Sequence, residues 1–187
     1  YYTLIPESSR YMSRKKLSIT IGVKAAKSEW IMLVEPSCRP ESEHWLANMA
    51  RNCNKDKDLV IGYSRYDDDA KMYQRFERML IQCYSLREAQ QSMAYRHYGS
   101  NLMIRKSLFM QQEGFRSSLN LVRGEYDFLV NDFATADNTA TETSHLAHVV
   151  EDAPTHKAWL YHHMYYLESR KILKRGIKHR LVFNIDQ

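Results

Sequence analysis

Residues 31–40 read IMLVEPSCRP, an apolar run that meets an acid, a proline and a small polar turn. With Trp30 in front of it, the run 30–34 is apolar at every position, the pattern of a strand covered on both faces. The reading therefore predicts residues 30–34 as a central, buried strand. It also delivers Glu35 to the loop at the strand's carboxyl end, where a carboxylate can be offered to a metal ion. A hard divalent cation takes several oxygens, and here only one carboxylate, Glu35, stands where such a site usually offers two. From these residues alone three readings stay open: a metal site, the remnant of one, or a strand meeting a loop.

Upstream, Ser13 is placed to cap a helix running to about Lys27, with Leu17, Ile21 and Ala25 spaced by four on one face. Downstream, Pro40 and the acids Glu41 and Glu43 form a helix start, and Trp45, Leu46 and Met49 give that helix an apolar side. Residues 59–63 read as a second short strand. Asp67, Asp68 and Asp69 read as a solvated turn before the longest helix. There Met72, Phe76, Met79, Cys83 and Leu86 recur by fours and threes and predict a buried stripe. Residues 101–105 read as a strand and 106–113 as a helix closed by Gly114. Residues 125–136 read as another helix, with Tyr126, Leu129, Val130 and Phe133 on one side. A polar stretch leads to a strand at 145–150, and Pro154 with Thr155 opens a long terminal helix. Strands and helices alternating in this way predict an α/β sheet with helices on both faces. No phosphate-binding strand precedes Ser13, so the sheet is expected to lack its amino-terminal unit.

The chain has 187 residues, 44% of them hydrophobic, which suits one globular domain with a real core. Its 27 basic and 22 acidic residues leave a net charge of +5, with basic groups gathered at Arg10, Arg14, Lys15 and Lys16 and across residues 170–180. That balance permits anionic partners, but no recognised motif accompanies the charge, so no nucleic acid is expected. Cys38, Cys53 and Cys83 are too scattered for a disulfide scaffold or a zinc knuckle and read as reduced thiols of a cytoplasmic domain. No run reaches the roughly 20 apolar residues that span a bilayer, and no signal peptide is expected. The opening at Tyr1 reads as a piece of something longer. His162 and His163 diverge by about 100° on a helix and do not face one metal together.

The segments SRKKLSITIGVKAAKSEWIMLVEPSCRP (13–40), YGSNLMIRKSLFMQQEGF (98–115), GEYDFLVND (124–132) and THKAW (155–159) occur in an order and spacing that resemble the family 2 glycosyltransferases of GT-A fold. The likeness is to a bacterial subgroup typical of Bacteroides-like organisms and covers residues 13–175. It implies a GT-A-like sheet, within a single partial domain over 1–187, that lacks the amino-terminal nucleotide-binding βαβ unit. It also implies transfer of a sugar from a nucleotide-sugar donor to a glycan acceptor hydroxyl, in bacterial glycan or polysaccharide synthesis. The full-length protein would then associate with the inner membrane.

In that family a Mg or Mn ion neutralises the leaving diphosphate, and a carboxylate takes the proton of the acceptor hydroxyl. VEPSC resembles the family's TDADC, which puts Glu35 at the first metal-ligand position and Ser37 at the second. GEYDFLVN resembles GDDDLFVN, which puts Tyr126 at the base position with Glu125 and Asp127 on either side as catalytic candidates. A phenol of ordinary pKa about 10 is a poor base at neutral pH. Ser100, Asn101 and Trp159 fall at substrate-binding positions, while the basic run expected after Trp159 is replaced by YHHMYY at 161–166. With three motifs altered together, a second reading stands beside the enzymatic one: a glycosyltransferase-like module that binds or scaffolds without catalysis.

Overall fold

The computed structural model describes residue 4 and residues 11–185; Arg10 and most of the opening segment lie outside them. The elements run α1 (Arg14–Ala25), β1 (Trp30–Leu33), β2 (Cys38–Pro40), α2 (Trp45–Ala50), β3 (Leu59–Gly62), β4 (Ser64–Tyr66) and α3 (Met72–Gln91). They continue with β5 (Leu102–Arg105), α4 (Lys106–Gln111), α5 (Glu125–Phe133), β6 (Thr139–Glu142), β7 (Val149–Glu151), α6 (His156–Ser169) and α7 (Gly176–Ile185). Short 3-10 turns lie at Arg116–Ser118 and His145–Ala147. Among the described residues no helix is long and apolar enough to cross a membrane.

Four strands form one sheet in the order β1-β5-β3-β6, and three form a smaller sheet in the order β2-β7-β4. In the larger sheet β5 pairs antiparallel with both β1 and β3, while β3 and β6 are parallel. The mixed α/β class expected from the alternation is therefore present. Strand side chains alternate between faces, and the packing follows that alternation. Ile31, Leu33, Leu59, Ile61, Leu102 and Ile104 meet Val23 of α1, Leu86 of α3, Phe109 of α4 and Leu129 of α5. Trp30, Met32, Val60 and Met103 meet Trp45 and Met49 of α2 on the other side. Helices cover both faces. Ile61, Leu102 and Ile104 are fully buried, each worth about 1.5–3 kcal/mol of transfer free energy.

Three expectations are corrected. Residues 30–33 do form a strand, but among the described residues it is the edge of the larger sheet, paired only with β5. Its apolar continuity reflects cover on two faces, which an edge strand receives as well as a central one. Of the stripe expected on α3, Leu86 is buried but the rest faces water: Met72 is 86% exposed and Phe76 57%, and Met79 and Cys83 are exposed too. The face turned inward carries Gln74, Arg78, Gln82 and Ser85 beside Leu86 and Ala89. Those polar groups are wanted there, since Arg78 Nη2 and Gln82 Nε2 both donate to Ser64 Oγ, at 2.9 and 2.8 Å. On α1 the buried positions are Lys16, Thr20 and Val23 rather than Leu17, Ile21 and Ala25. Lys16 crosses the interior to donate to the carbonyls of Ser118 and Leu121, at 2.7 and 3.0 Å.

The boundaries follow local chemistry. Ser13 Oγ accepts from Lys16 N at the start of α1, and Thr155 Oγ1 from Ala158 N at the start of α6. Pro40 belongs to β2, paired with Val149, so α2 begins only at Trp45. The strand expected at 145–150 divides into a 3-10 turn and β7. The terminal helix also divides, with Arg175 at φ 63° between α6 and α7.

Candidate functional site

The loop after β1 and the amino end of α5 meet at a cleft of about 240 Å³. Lys15, Glu35, Ser37, Gly124, Glu125, Tyr126, Asp127 and Glu151 line it, with His162 and Tyr165 of α6 closing one side. The five residues assigned to metal and base positions thus stand around one opening. The small sheet contributes to this convergence. Asp152 N donates to Ser37 O at 2.9 Å, and Cys38 pairs with Glu151 in the β2–β7 ladder. Glu35 N receives further support from Ser100 Oγ at 2.7 Å.

Gly124 supplies the turn into α5 at φ 88°, and a Cβ there would lie 2.7 Å from Ser169 Oγ. That close approach brings α6 against the α5 amino end. The unpaired N–H groups at a helix start favour anionic side chains nearby, which suits Glu125 and Asp127.

The three groups at the base position have different fates. Asp127 is buried and receives Arg96 through two bonds, Nε to Oδ1 at 2.9 Å and Nη2 to Oδ2 at 3.3 Å. Burial works against the Arg96 charge, but Asp127 more than offsets it and keeps the guanidinium ionised. The Tyr166 ring lies 3.7 Å from that guanidinium. Asp127 is thereby a structural partner. The Tyr126 phenol is pushed well above its ordinary range, by burial first and then by the charge of Glu35. It cannot serve as a base near neutral pH. Glu125 keeps the freest carboxylate, accepting from Ser13 Oγ at 3.0 Å and lying 3.9 Å from Lys15 Nζ.

Lys15 ties the cleft together. Its ammonium is ion-paired with Glu35, lies 3.9 Å from Glu125 and stands 4.9 Å from the centre of the Tyr126 ring. One side-chain cation therefore bridges the positions that the resemblance matches to metal and base. Mg or Mn would need an oxygen-rich set, and Glu35, already engaged by Lys15, with the neutral Ser37 does not fit one.

On the opposite wall, burial and then the charges of Arg78, Arg123 and Lys15 pull His162 down to about 4. The ring is neutral near pH 7. Its Nδ1 lies 2.7 Å from Tyr98 Oη, which is itself 3.2 Å from Tyr66 Oη. With Tyr98 donating to Nδ1, the proton of the neutral imidazole resides on Nε2 as a hydrogen-bond donor.

The residues expected to bind substrate do not line this cleft. Ser100 supports it from behind through Glu35 N and Cys38 Sγ. Asn101 is fully buried, donating to the Tyr63 and Ala147 carbonyls at 2.8 Å each and accepting from Trp45 Nε1 at 3.0 Å. Trp159 donates to Glu77 at 2.6 Å and packs on Tyr73, His156 and His163. Sequence reasoning passed over Lys15 and Arg96 as cleft residues, and weighed His162 only as one of an adjacent pair that does not share a metal. For Lys15 the available signal was its place two residues past the Ser13 cap. Arg96 and Asp127 are 31 residues apart and carry no local signature.

No protein-family model and no curated protein matches this sequence.

Proposed function

We propose that this chain is a family 2 glycosyltransferase-like domain whose cleft takes the sugar-diphosphate end of a nucleotide-sugar. It would transfer the sugar to an acceptor hydroxyl in bacterial glycan synthesis. The observation that carries the reading is that Glu35 and Glu125, from separate elements, face one Lys15 ammonium within a single open cleft. Its volume is slightly below the roughly 300–1,000 Å³ of drug-sized pockets, suited to a sugar ring or a diphosphate rather than a whole nucleotide-sugar.

In the proposed step the acceptor oxygen bonds to the anomeric carbon as the bond from that carbon to the phosphate oxygen breaks. Glu125 takes the acceptor proton, and the nucleoside diphosphate leaves with the bonding pair. Lys15 and Arg123 face the growing negative charge, and His162 donates from Nε2. Positioned cations act most strongly where water is excluded.

A second reading rests on its own observation. Asp127 is locked to Arg96 and Lys15 is neutralised by Glu35, an arrangement that suits a module binding a sugar or diphosphate without turnover.

Purified protein supplied with UDP- and GDP-sugars and mixed glycan acceptors tests both readings. Release of nucleoside diphosphate that stops in Glu125→Gln supports transfer. Saturable binding without release supports the binding module. Absence of both refutes the assignment of this cleft.

A further inference from the structure

At the far end of the small sheet from the cleft, Glu41, His145 and His148 bring their ligand atoms within 4.8 Å of one another. Two chain segments meet there. Glu41 follows β2, His145 lies in the 3-10 turn and His148 directly precedes β7, with Glu41 N donating to His148 O at 3.0 Å. His148 is three residues before Glu151 of the cleft wall, about 10 Å along an extended chain. The two places are therefore separate.

The hydrogen bonds around the group leave two acceptors facing each other. His148 Nε2 lies 3.2 Å from the Thr143 carbonyl, which can only accept, so Nε2 carries a proton. In the neutral ring Nδ1 then presents its lone pair. That atom is 3.5 Å from Glu41 Oε2, which is buried and has no hydrogen-bond partner. The other Glu41 oxygen is held by Arg65, through Nε at 3.2 Å and Nη2 at 2.5 Å. The Tyr63 ring, 4.7 Å from that of His148, fixes the imidazole from the side. A lone pair and an anionic oxygen turned toward each other are satisfied by a proton on Nδ1 or by a metal ion between them. The exposed His145 ring, 5.3 Å from that of His148, supplies a third donor.

We infer that Glu41, His145 and His148 form a binding site for a divalent transition-metal ion of the zinc class. Two imidazoles and one carboxylate suit Zn, Co, Ni or Cu, whereas Mg and Ca take more oxygens. Metal–ligand bonds of about 2.0–2.2 Å imply donors about 3.3–3.6 Å apart in a tetrahedral site. The His148–Glu41 separation of 3.5 Å is close to that spacing, and His145 closes the set by turning its exposed ring inward. Arg65 on Glu41 and Thr143 on His148 are the outer-shell partners that orient such ligands. The ion would fasten the loop after β2 to the turn before β7.

Calorimetric titration of the protein with Zn²⁺, paired with the absorption spectrum of the Co²⁺ form, tests the site. The expected result is one saturable ion per chain, undisturbed by excess Mg²⁺, with cobalt bands free of thiolate charge transfer. Affinity should fall on the order of tenfold or more in His145→Ala, whose exposed ring has no part in the core, and in Glu41→Gln. Circular dichroism of each variant separates lost binding from lost folding. Absence of saturable Zn²⁺ binding would overturn the inference. So would binding undiminished in both variants, or a thiolate spectrum pointing to Cys38, Cys53 or Cys83.

Discussion

Replacing Asp127 should unfold the α5–α6 corner rather than merely silence a reaction. Arg96 is 3% exposed and spends two donors on the Asp127 carboxylate. Removing one member of a buried ion pair leaves the other charged and uncompensated, at a cost of about 3–5 kcal/mol. The Tyr166 ring over the guanidinium offsets part of this, and Asn retains one acceptor. Asp127→Asn should therefore fall near 3 kcal/mol, about the low end of that range, and Asp127→Ala near 4, about its centre. With a urea slope of about 2 kcal/mol/M, the midpoint drops by about 1.5–2 M. Urea unfolding followed by circular dichroism reads it directly. Arg96→Met combined with Asp127→Leu removes both charges and should cost less than the two single changes added together. A midpoint for Asp127→Ala within about 0.3 M of the parent, well under 1 kcal/mol at that slope, would refute the structural role and return Asp127 to the list of candidate bases.

Other outcomes are expected from the same packing. Gly124→Ala places a methyl 2.7 Å from Ser169 Oγ at φ 88° and should cost about 1–3 kcal/mol, seen as a lower melting temperature. Asn101→Ala leaves the Ala147 carbonyl and Trp45 Nε1 without their partner, while the Tyr63 carbonyl keeps Val149 N, a loss of about 2–4 kcal/mol at one to three per unsatisfied group, which should appear in the urea midpoint. Stability should also fall on acidification. Burial drops the His97 imidazole to about 4, below its unfolded value of about 6.5. The contribution is complete above pH 6.5 and is lost as the pH falls toward 4. Integrated, it amounts to about 3 kcal/mol. Urea midpoints at pH 7 and 4.5 check it, and His97→Asn should flatten the slope between them.

How much of this was legible in the sequence depended on whether the signal was local. Ser13, Thr155 and Gly114 announce helix ends through side-chain capping and left-handed backbone, and the structure uses each of them there. The run into Glu35 located β1 and its loop because apolar cover on two faces writes itself into consecutive residues. The α3 stripe misled because hydrophobic periodicity says which residues are alike, not which face meets the sheet. Arg78 and Gln82 turn inward since Ser64 and Glu151, distant in sequence, await them. Lys16 displaced Leu17 from the buried face for the same reason, its ammonium satisfying carbonyls more than 100 residues away. In the cleft, residue types at Glu35, Ser37 and Glu125 were readable. The pairing of Lys15 with two acids was not, because it depends on α1 crossing the mouth between β1 and α5. The spacing of His145 and His148 could be seen in the chain, but their partner Glu41 comes from the paired strand.

The most direct measurement is two-dimensional NMR of the protein titrated with UDP-glucose, GDP-mannose and the free diphosphates, following the amides of Glu35, Gly124 and Glu125 and the ring of His162. If the cleft binds a sugar-diphosphate, these signals shift together and saturably with at least one of the ligands. Lys15→Met, which removes the bridging cation, should then weaken binding about tenfold or more, from the roughly 1.5–3 kcal/mol of a hydrogen bond to a charged group. Saturable shifts confined to other surfaces, or no saturable shift with any of the ligands, would contradict the assignment.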